Sequence, residues 1–229
     1  MRNTRTLIIT EVALAIALAT VLNFLQIRLP VNLFGGSINF CMLPIAIVAL
    51  RRGALSGAVA GAVFGIIDLL LEPYVLTPVQ VVLDYPLPYL LVGLGVGLFS
   101  TLYNRQITKA GELVTGRLVG QGSLVIIIAL IVGGIMRLAS HVVSGVVFFG
   151  EYAADFFEAN PTLLQAGAAD AGLNLWIYSL VYNLMYIVPS LIVAAICLLV
   201  IAPILAKAVP VRKFYAGKPT KVKAQPTVE

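Results

Sequence analysis

Long apolar stretches alternate with short polar breaks over nearly the whole chain. Five runs reach membrane-spanning length, at about 6–26, 54–71, 79–102, 118–148 and 173–206. A helix needs roughly 20 apolar residues to cross the hydrocarbon. A further run, 38–50, is too short to span unaided. It reads either as a short, protein-packed span or as a re-entrant piece. Counting it gives six helices and places both termini on one side. The pattern predicts an all-α integral membrane protein, with a six-helix membrane domain over 1–206 and a basic tail over 207–229.

The basic residues support that count. Arg2 and Arg5 precede the first span, and Arg51 and Arg52 lie between the second and third. Arg105, Lys109 and Arg117 lie between the fourth and fifth. Lys207, Arg212, Lys213, Lys218, Lys221 and Lys223 follow the sixth. All of these fall on one side, which leaves only Arg28 and Arg137. Glu72, Glu151, Asp155, Glu158 and Asp170 fall on the other. Cytoplasmic loops collect Lys and Arg, so both termini are expected in the cytoplasm. Dropping the short second span would scramble the sorting. The link 28–39 is then external, and its Gly35-Gly36 pair suits a mobile turn. The external segment 150–172 is acidic and alanine-rich, with Asn160-Pro161 in its middle. It is read as either a short interfacial helix or a loose cap.

Composition excludes a water-soluble domain. Of the 229 residues 60% are hydrophobic and 11% charged, and the mean hydropathy is +1.02, whereas soluble domains carry about 25% charged residues. The net charge of +5 is concentrated in the cytoplasmic loops and tail. There it faces an anionic inner leaflet, and no nucleic-acid partner is expected. Cys41 and Cys197 both lie in apolar runs and read as small hydrophobes. The first run has no small-residue cleavage site and reads as a retained helix. No Walker sequence, nucleophile–base pair or metal-ligand spacing is present, so neither an enzyme nor a metal site is expected.

The candidate chemistry lies in the few polar residues inside the spans. Asp84 follows a largely apolar stretch and precedes Tyr85 and Pro86. A carboxylate at membrane depth is rare and normally faces a cavity or a partner. It either pairs with Arg137 or backbone donors, or attracts a cationic or N–H-bearing ligand. Asp68 is a second intramembrane acid, read as another candidate partner of Arg137. His141, the only histidine, shares a helical face with Arg137. Phe148 and Phe149 lie two turns beyond. Tyr178 and Tyr182 share a face, with Asn183 at its edge. Each also has a plainer reading, as a bonded core histidine, interface aromatics or interhelical hydrogen bonds. Trp176 and Tyr186 read as interface or packing aromatics. The topology brings these groups to the external half of the membrane. Together they describe a pocket for a flat, nitrogen-rich molecule, neutral or cationic. On the first span Ala13, Ala15, Ala17 and Ala19 form small-xxx-small pairs. These serve either generic packing or docking to another membrane subunit.

These residues resemble the substrate-binding (S) component of energy-coupling factor vitamin transporters, most closely its thiamine-specific branch. The matching pieces are Ala15-x-x-x-Ala19, Pro44 with Ala49-Leu-Arg-Arg-Gly53, Tyr74-Val-Leu-Thr-Pro-Val-Gln80, Leu83-Asp-Tyr-Pro86, His141 with Gly145 and Phe149-Gly150, and Tyr178-Ser-Leu-Val-Tyr-Asn183. They run in order from residue 11 to about 190. The resemblance implies a six-helix fold in a prokaryotic plasma membrane. It implies a thiamine pocket open to the outside, closed by the link between the first two spans. The acid at Asp84 beside Tyr85, with Tyr74, His141, Tyr178 and Asn183, would line it, and aromatic side chains would stack on the vitamin. The alanine motif would dock a membrane coupling subunit driven by two ATP-hydrolysing subunits. No cofactor is implied; thiamine is the cargo.

The chain departs from that family in a few places. The family's acid is glutamate and here is Asp84, one methylene shorter. Two expected tryptophans are Phe34 and Phe149, and Phe attracts a cation less than Trp. The external segment and the tail are also longer. These differences point to weaker thiamine binding or to an S component for a thiamine precursor or related heterocycle; a reading of another class is a structural or assembly membrane protein whose polar groups only join helices.

Overall fold

The fold is taken from a computed structural model, whose described residues are 4–28, 36–109, 112–113, 118–159 and 171–208. The expected stacking residue Phe34, most of the link between the first two spans, Asn160-Pro161 and the tail beyond 208 lie outside them. Among the described residues the chain is almost entirely helical. Five helical stretches are long and apolar enough to cross a membrane: Arg5–Asn23, Ala54–Leu71, Pro78–Gln106, Gly120–Phe148 and Asn174–Lys207.

Helix α1, Thr4–Asn23, leads into a small antiparallel pair, β1 Ile27–Arg28 with β2 Ser37–Ile38. Ile27 faces Ile38, and Arg28 faces Ser37. The expected mobile turn is thus anchored on both sides by paired backbone. Helix α2, Met42–Arg52, rises only about 16 Å, half a bilayer core of about 30 Å. It is nevertheless the most enclosed helix, with nine of its eleven residues buried. The short run is thus packed by protein, as either of its two readings requires. Gly53 follows at φ +94°, a left-handed conformation that only glycine adopts freely. It lets the chain reverse directly into α3, Ala54–Leu71.

The fourth run is not one helix. It divides into α4 Pro78–Asp84, α5 Pro86–Leu98 and α6 Ser100–Ile107. Thr77 caps α4 by accepting the Gln80 N–H, with Pro78 at the first position, where a missing donor costs nothing. Pro86 can neither donate nor continue the preceding helix, so the axis breaks at Tyr85. The strand pair Thr108–Lys109 with Glu112–Leu113 (β3, β4) and a π-helical turn at Leu118–Gly122 lead to α7, Ser123–Phe148. A 3₁₀ turn Gly150–Tyr152 and a short α8, Ala153–Ala159, follow. This part of the segment 150–172 thus contains a short helix. Phe156 and Phe157 of α8 are buried against Tyr178. The last helix, α9, runs over Ala171–Ala208.

Helices α3, α5, α7 and α9 pack in that order, and α2 sits inside against α1, α3, α5 and α9. The α3–α5 contact is close because glycine lines it. A Cβ at Gly57, Gly61 or Gly65 would collide with the backbone of Gly93, Tyr89 or Tyr85 respectively. Such small-xxx-small seams substitute for a hydrophobic driving force in lipid.

Helix α1 presents two different faces. Ala15 and Ala19 are buried, Ala15 with Val48 and Ala60 and Ala19 in the main core. Ala13 and Ala17 are exposed. The four alanines therefore do not form one docking stripe. Glu11 on α1 also pairs with Arg51 and Arg52 at the end of α2, so two of the basic residues share a single carboxylate inside the protein.

Candidate functional site

The break at Tyr85 opens a cavity of about 920 Å³, bounded by the ends of α1, α3, α4, α7 and α9 and the β1–β2 pair. Seven of the eight expected site residues line it: Tyr74, Asp84, Tyr85, His141, Phe149, Tyr178 and Asn183. The eighth, Phe34, is outside the described residues.

Asp84 ends α4 and is held from two sides. Gln80 Nε2 donates to Oδ2 at 2.7 Å, and His141 Nδ1 lies 3.5 Å from Oδ1. Arg137 Nε donates to His141 Nε2 at 3.4 Å. A guanidinium can only donate, so Nε2 accepts and the imidazole proton sits on Nδ1, toward Asp84. The expected pairing of Arg137 with Asp84 or Asp68 is not formed. Arg137 instead lies over the Tyr89 ring, 4.8 Å from its centroid, and donates to Met42 Sδ at 3.0 Å. Ring quadrupoles stabilise such a buried cation. Asp68 is satisfied by other donors: Asn23 Nδ2 at 2.7 Å and the Tyr89 hydroxyl at 3.2 Å.

One lip of the cavity is fixed through Tyr85. Its hydroxyl donates to the Glu72 carbonyl and accepts the Tyr74 N–H, each at 2.8 Å. The hydroxyl is thus spent on the 72–74 loop, and the ring is what Tyr85 offers the cavity. The Tyr74 ring stacks on Phe149, centroids 5.9 Å apart and planes 24° off parallel. The Tyr74 hydroxyl meets that of Tyr152 at 3.1 Å. At the mouth, Glu72 accepts from Arg28 at 2.8 Å and Gln26 at 2.7 Å.

On α9, Asn183 Nδ2 donates to the Ser179 carbonyl at 2.7 Å, and its Oδ1 accepts from Tyr186. Tyr186 is therefore more than a packing aromatic. It is buried, lines the cavity and orients Asn183. Trp176, by contrast, is exposed on the outer surface. Gly145 lets α7 approach α9 here, since a Cβ would collide with Ser179 Oγ.

Sequence reasoning missed several lining residues: Gln80, Asn23 and Tyr89, and with them the setting of Asp68. The available signal for Gln80 was its place four residues before Asp84, on the same helical face. In all, the lining carries the carboxylates of Asp68, Glu72 and Asp84 against the guanidiniums of Arg28 and Arg137. That leaves one formal negative charge in excess in a ring-lined cavity whose mouth, at Arg28 and Glu72, is exposed. Among the described residues no three His, Cys, Asp or Glu side chains gather as a metal site. The arrangement can hold a planar monocation by stacking, charge and a few directed hydrogen bonds.

The family model described as "Thiamine transporter protein (Thia_YuaJ)" matches residues 9–161. A thiamine transporter ThiT from Bacillus subtilis is 30% identical over 190 residues, covering 82% of this chain and 86% of the relative. A thiamine transporter ThiT from Lacticaseibacillus paracasei is 30% identical over 180 residues, 77% of each chain. A solved structure of ThiT from Listeria monocytogenes superposes with a TM-score of 0.68 at 26% identity, covering 91% of this chain and 97% of that one.

Proposed function

The chain belongs to the thiamine transporter family, and on that premise we propose that the cavity around Asp84 is where it takes up thiamine. It is a membrane-embedded thiamine uptake subunit and not an enzyme. Thiamine is its cargo, and no cofactor is required. The observation that carries the site assignment is the meeting of Asp84, His141, Asn183 and the Tyr74–Phe149 stack in one cavity.

In this reading Asp84 offsets the thiazolium charge or accepts from the pyrimidine amino group. His141 and Asn183 set the hydrogen-bond pattern. Tyr74, Tyr85, Phe149 and Tyr178 enclose and stack on the rings, and the family resemblance assigns Phe34 to the same set. Several further features follow from the family resemblance and the charge sorting. The chain has six spans with α2 as the short second one, forms one membrane domain over 1–206, and keeps both termini and the basic tail 207–229 in the cytoplasm. It resides in a prokaryotic plasma membrane. It works with a membrane coupling subunit and two ATP-hydrolysing subunits, and docks through the α1 face that carries Ala13 and Ala17.

Competition binding tests the ligand. Whole thiamine is expected to bind far more tightly than either its pyrimidine or its thiazole half, because only the whole molecule spans the acid and the aromatic stack. If one half competes about as well as thiamine, the protein serves a precursor instead.

A further inference from the structure

The side chain of Gln80 is only 1% exposed, yet it borders the cavity. Its carboxamide is almost fully committed. Nε2 donates to Asp84 Oδ2 at 2.7 Å and to the Tyr74 carbonyl at 3.2 Å. Oε1 accepts the Leu76 N–H at 3.1 Å. An amide nitrogen has two hydrogens to give, and both are used. Gln80 therefore has no donor left for a ligand. What it does is fix two groups that face the ligand: the acid at the end of α4 and the loop that carries the Tyr74 ring.

The bond to Asp84 is a charge-assisted one. Asp has one fewer torsion than Glu, so its carboxylate has little reach of its own, and its direction is set by the groups that hold it. His141 approaches one oxygen at 3.5 Å, whereas Gln80 holds the other at 2.7 Å. The shorter contact comes from the same short helix, so it holds the rotamer before any ligand arrives.

We propose that Gln80 is a positioning residue for thiamine recognition, which pre-aims the Asp84 carboxylate and couples it to the Tyr74 loop. This rests on the reading of the cavity as the thiamine site. It predicts that specificity for the cationic vitamin depends on a residue that does not touch it.

The test is a double-mutant cycle on thiamine affinity, using Gln80→Met, Asp84→Asn and both together. Gln80→Met keeps an unbranched side chain of similar bulk and removes the amide. Each single change is expected to weaken binding about tenfold or more. The double variant is expected to lose clearly less than the product of the two single losses, because Gln80 acts in part through that acid. Losses that multiply would give Gln80 a separate structural role and overturn the proposal. If Gln80→Met does not fold, Gln80→Glu serves, since it keeps the bulk and the acceptor for Leu76 but sets a carboxylate against Asp84. A loss of at least tenfold is then expected, and affinity held within about twofold of wild type would overturn the proposal. Wild-type protein that binds no thiamine would overturn the site reading itself, and this inference with it.

Discussion

Asp84 and His141 meet with Oδ1 and Nδ1 3.5 Å apart, one at the end of a broken helix and the other in the last third of α7. Neither helix alone could make a site. The pair exists because Pro86 stops α4 and because Ser140 Oγ donates to the Leu83 carbonyl at 2.7 Å, pinning the broken end to α7. A carboxylate so held in the membrane is a poor source of stability, since burial cost offsets much of its attraction. It is better explained as a group kept for a ligand.

Asp84→Asn should therefore separate a binding site from structural glue. The amide retains the shape and an acceptor for Gln80 but loses the charge. Thiamine affinity is expected to fall about 10- to 100-fold, from the loss of a charged hydrogen-bond partner worth about 1.5–3 kcal/mol. Thermal unfolding in detergent should shift little. Loss of folding with no separate effect on binding would favour the structural reading.

Phe149 lies against Tyr74 at the cavity wall. Trp presents a stronger face to a cation than Phe, in a contact worth about 0.5–1 kcal/mol or more in all. Phe149→Trp is expected to tighten thiamine binding about two- to fivefold, with the gain in the dissociation rate measured by stopped flow. An uncharged analogue should gain less.

The α3–α5 seam leaves no room for a methyl group. Gly61→Ala would drive a Cβ into the Tyr89 carbonyl, a rigid backbone atom, so the helices must separate. The cost is expected at about 1–3 kcal/mol or more, read as a lowered unfolding temperature. Since Tyr89 also donates to Asp68, ligand binding should weaken as well.

The two alanine faces of α1 predict opposite outcomes. Ala19→Leu enlarges a fully buried position and should lower stability and yield. Ala17→Leu sits on an exposed face and should leave folding and thiamine binding intact. If that face docks the coupling subunit, cellular uptake of labelled thiamine is expected to fall in Ala17→Leu while binding by the purified protein persists.

The parts of the site that were legible in the sequence are those that are costly in lipid. An acid, a lone histidine and an amide within apolar runs must each find a partner, so Asp84, His141 and Asn183 stood out and do converge. The pairing among them was not legible. Arg137 was expected beside a carboxylate but lies on an aromatic face, because a ring can serve a buried cation as well and shows no charge in the sequence. Gln80 escaped notice since a glutamine is unremarkable in a helix until its i+4 neighbour is known to be the central acid. The break of the fourth run was signalled only by Pro86. The glycine spacing on α3 was visible but gains meaning only when α5 is known to be its partner. The alanines of α1 illustrate the reverse limit. Their spacing suggested close packing correctly, but periodicity alone could not say which pair faces inward.

The most direct test is calorimetric titration of ligand-free protein with thiamine. The account predicts saturable binding of one thiamine per chain, weakened at least tenfold by Asp84→Asn. An absence of saturable thiamine binding, or an affinity unchanged by Asp84→Asn, would contradict it.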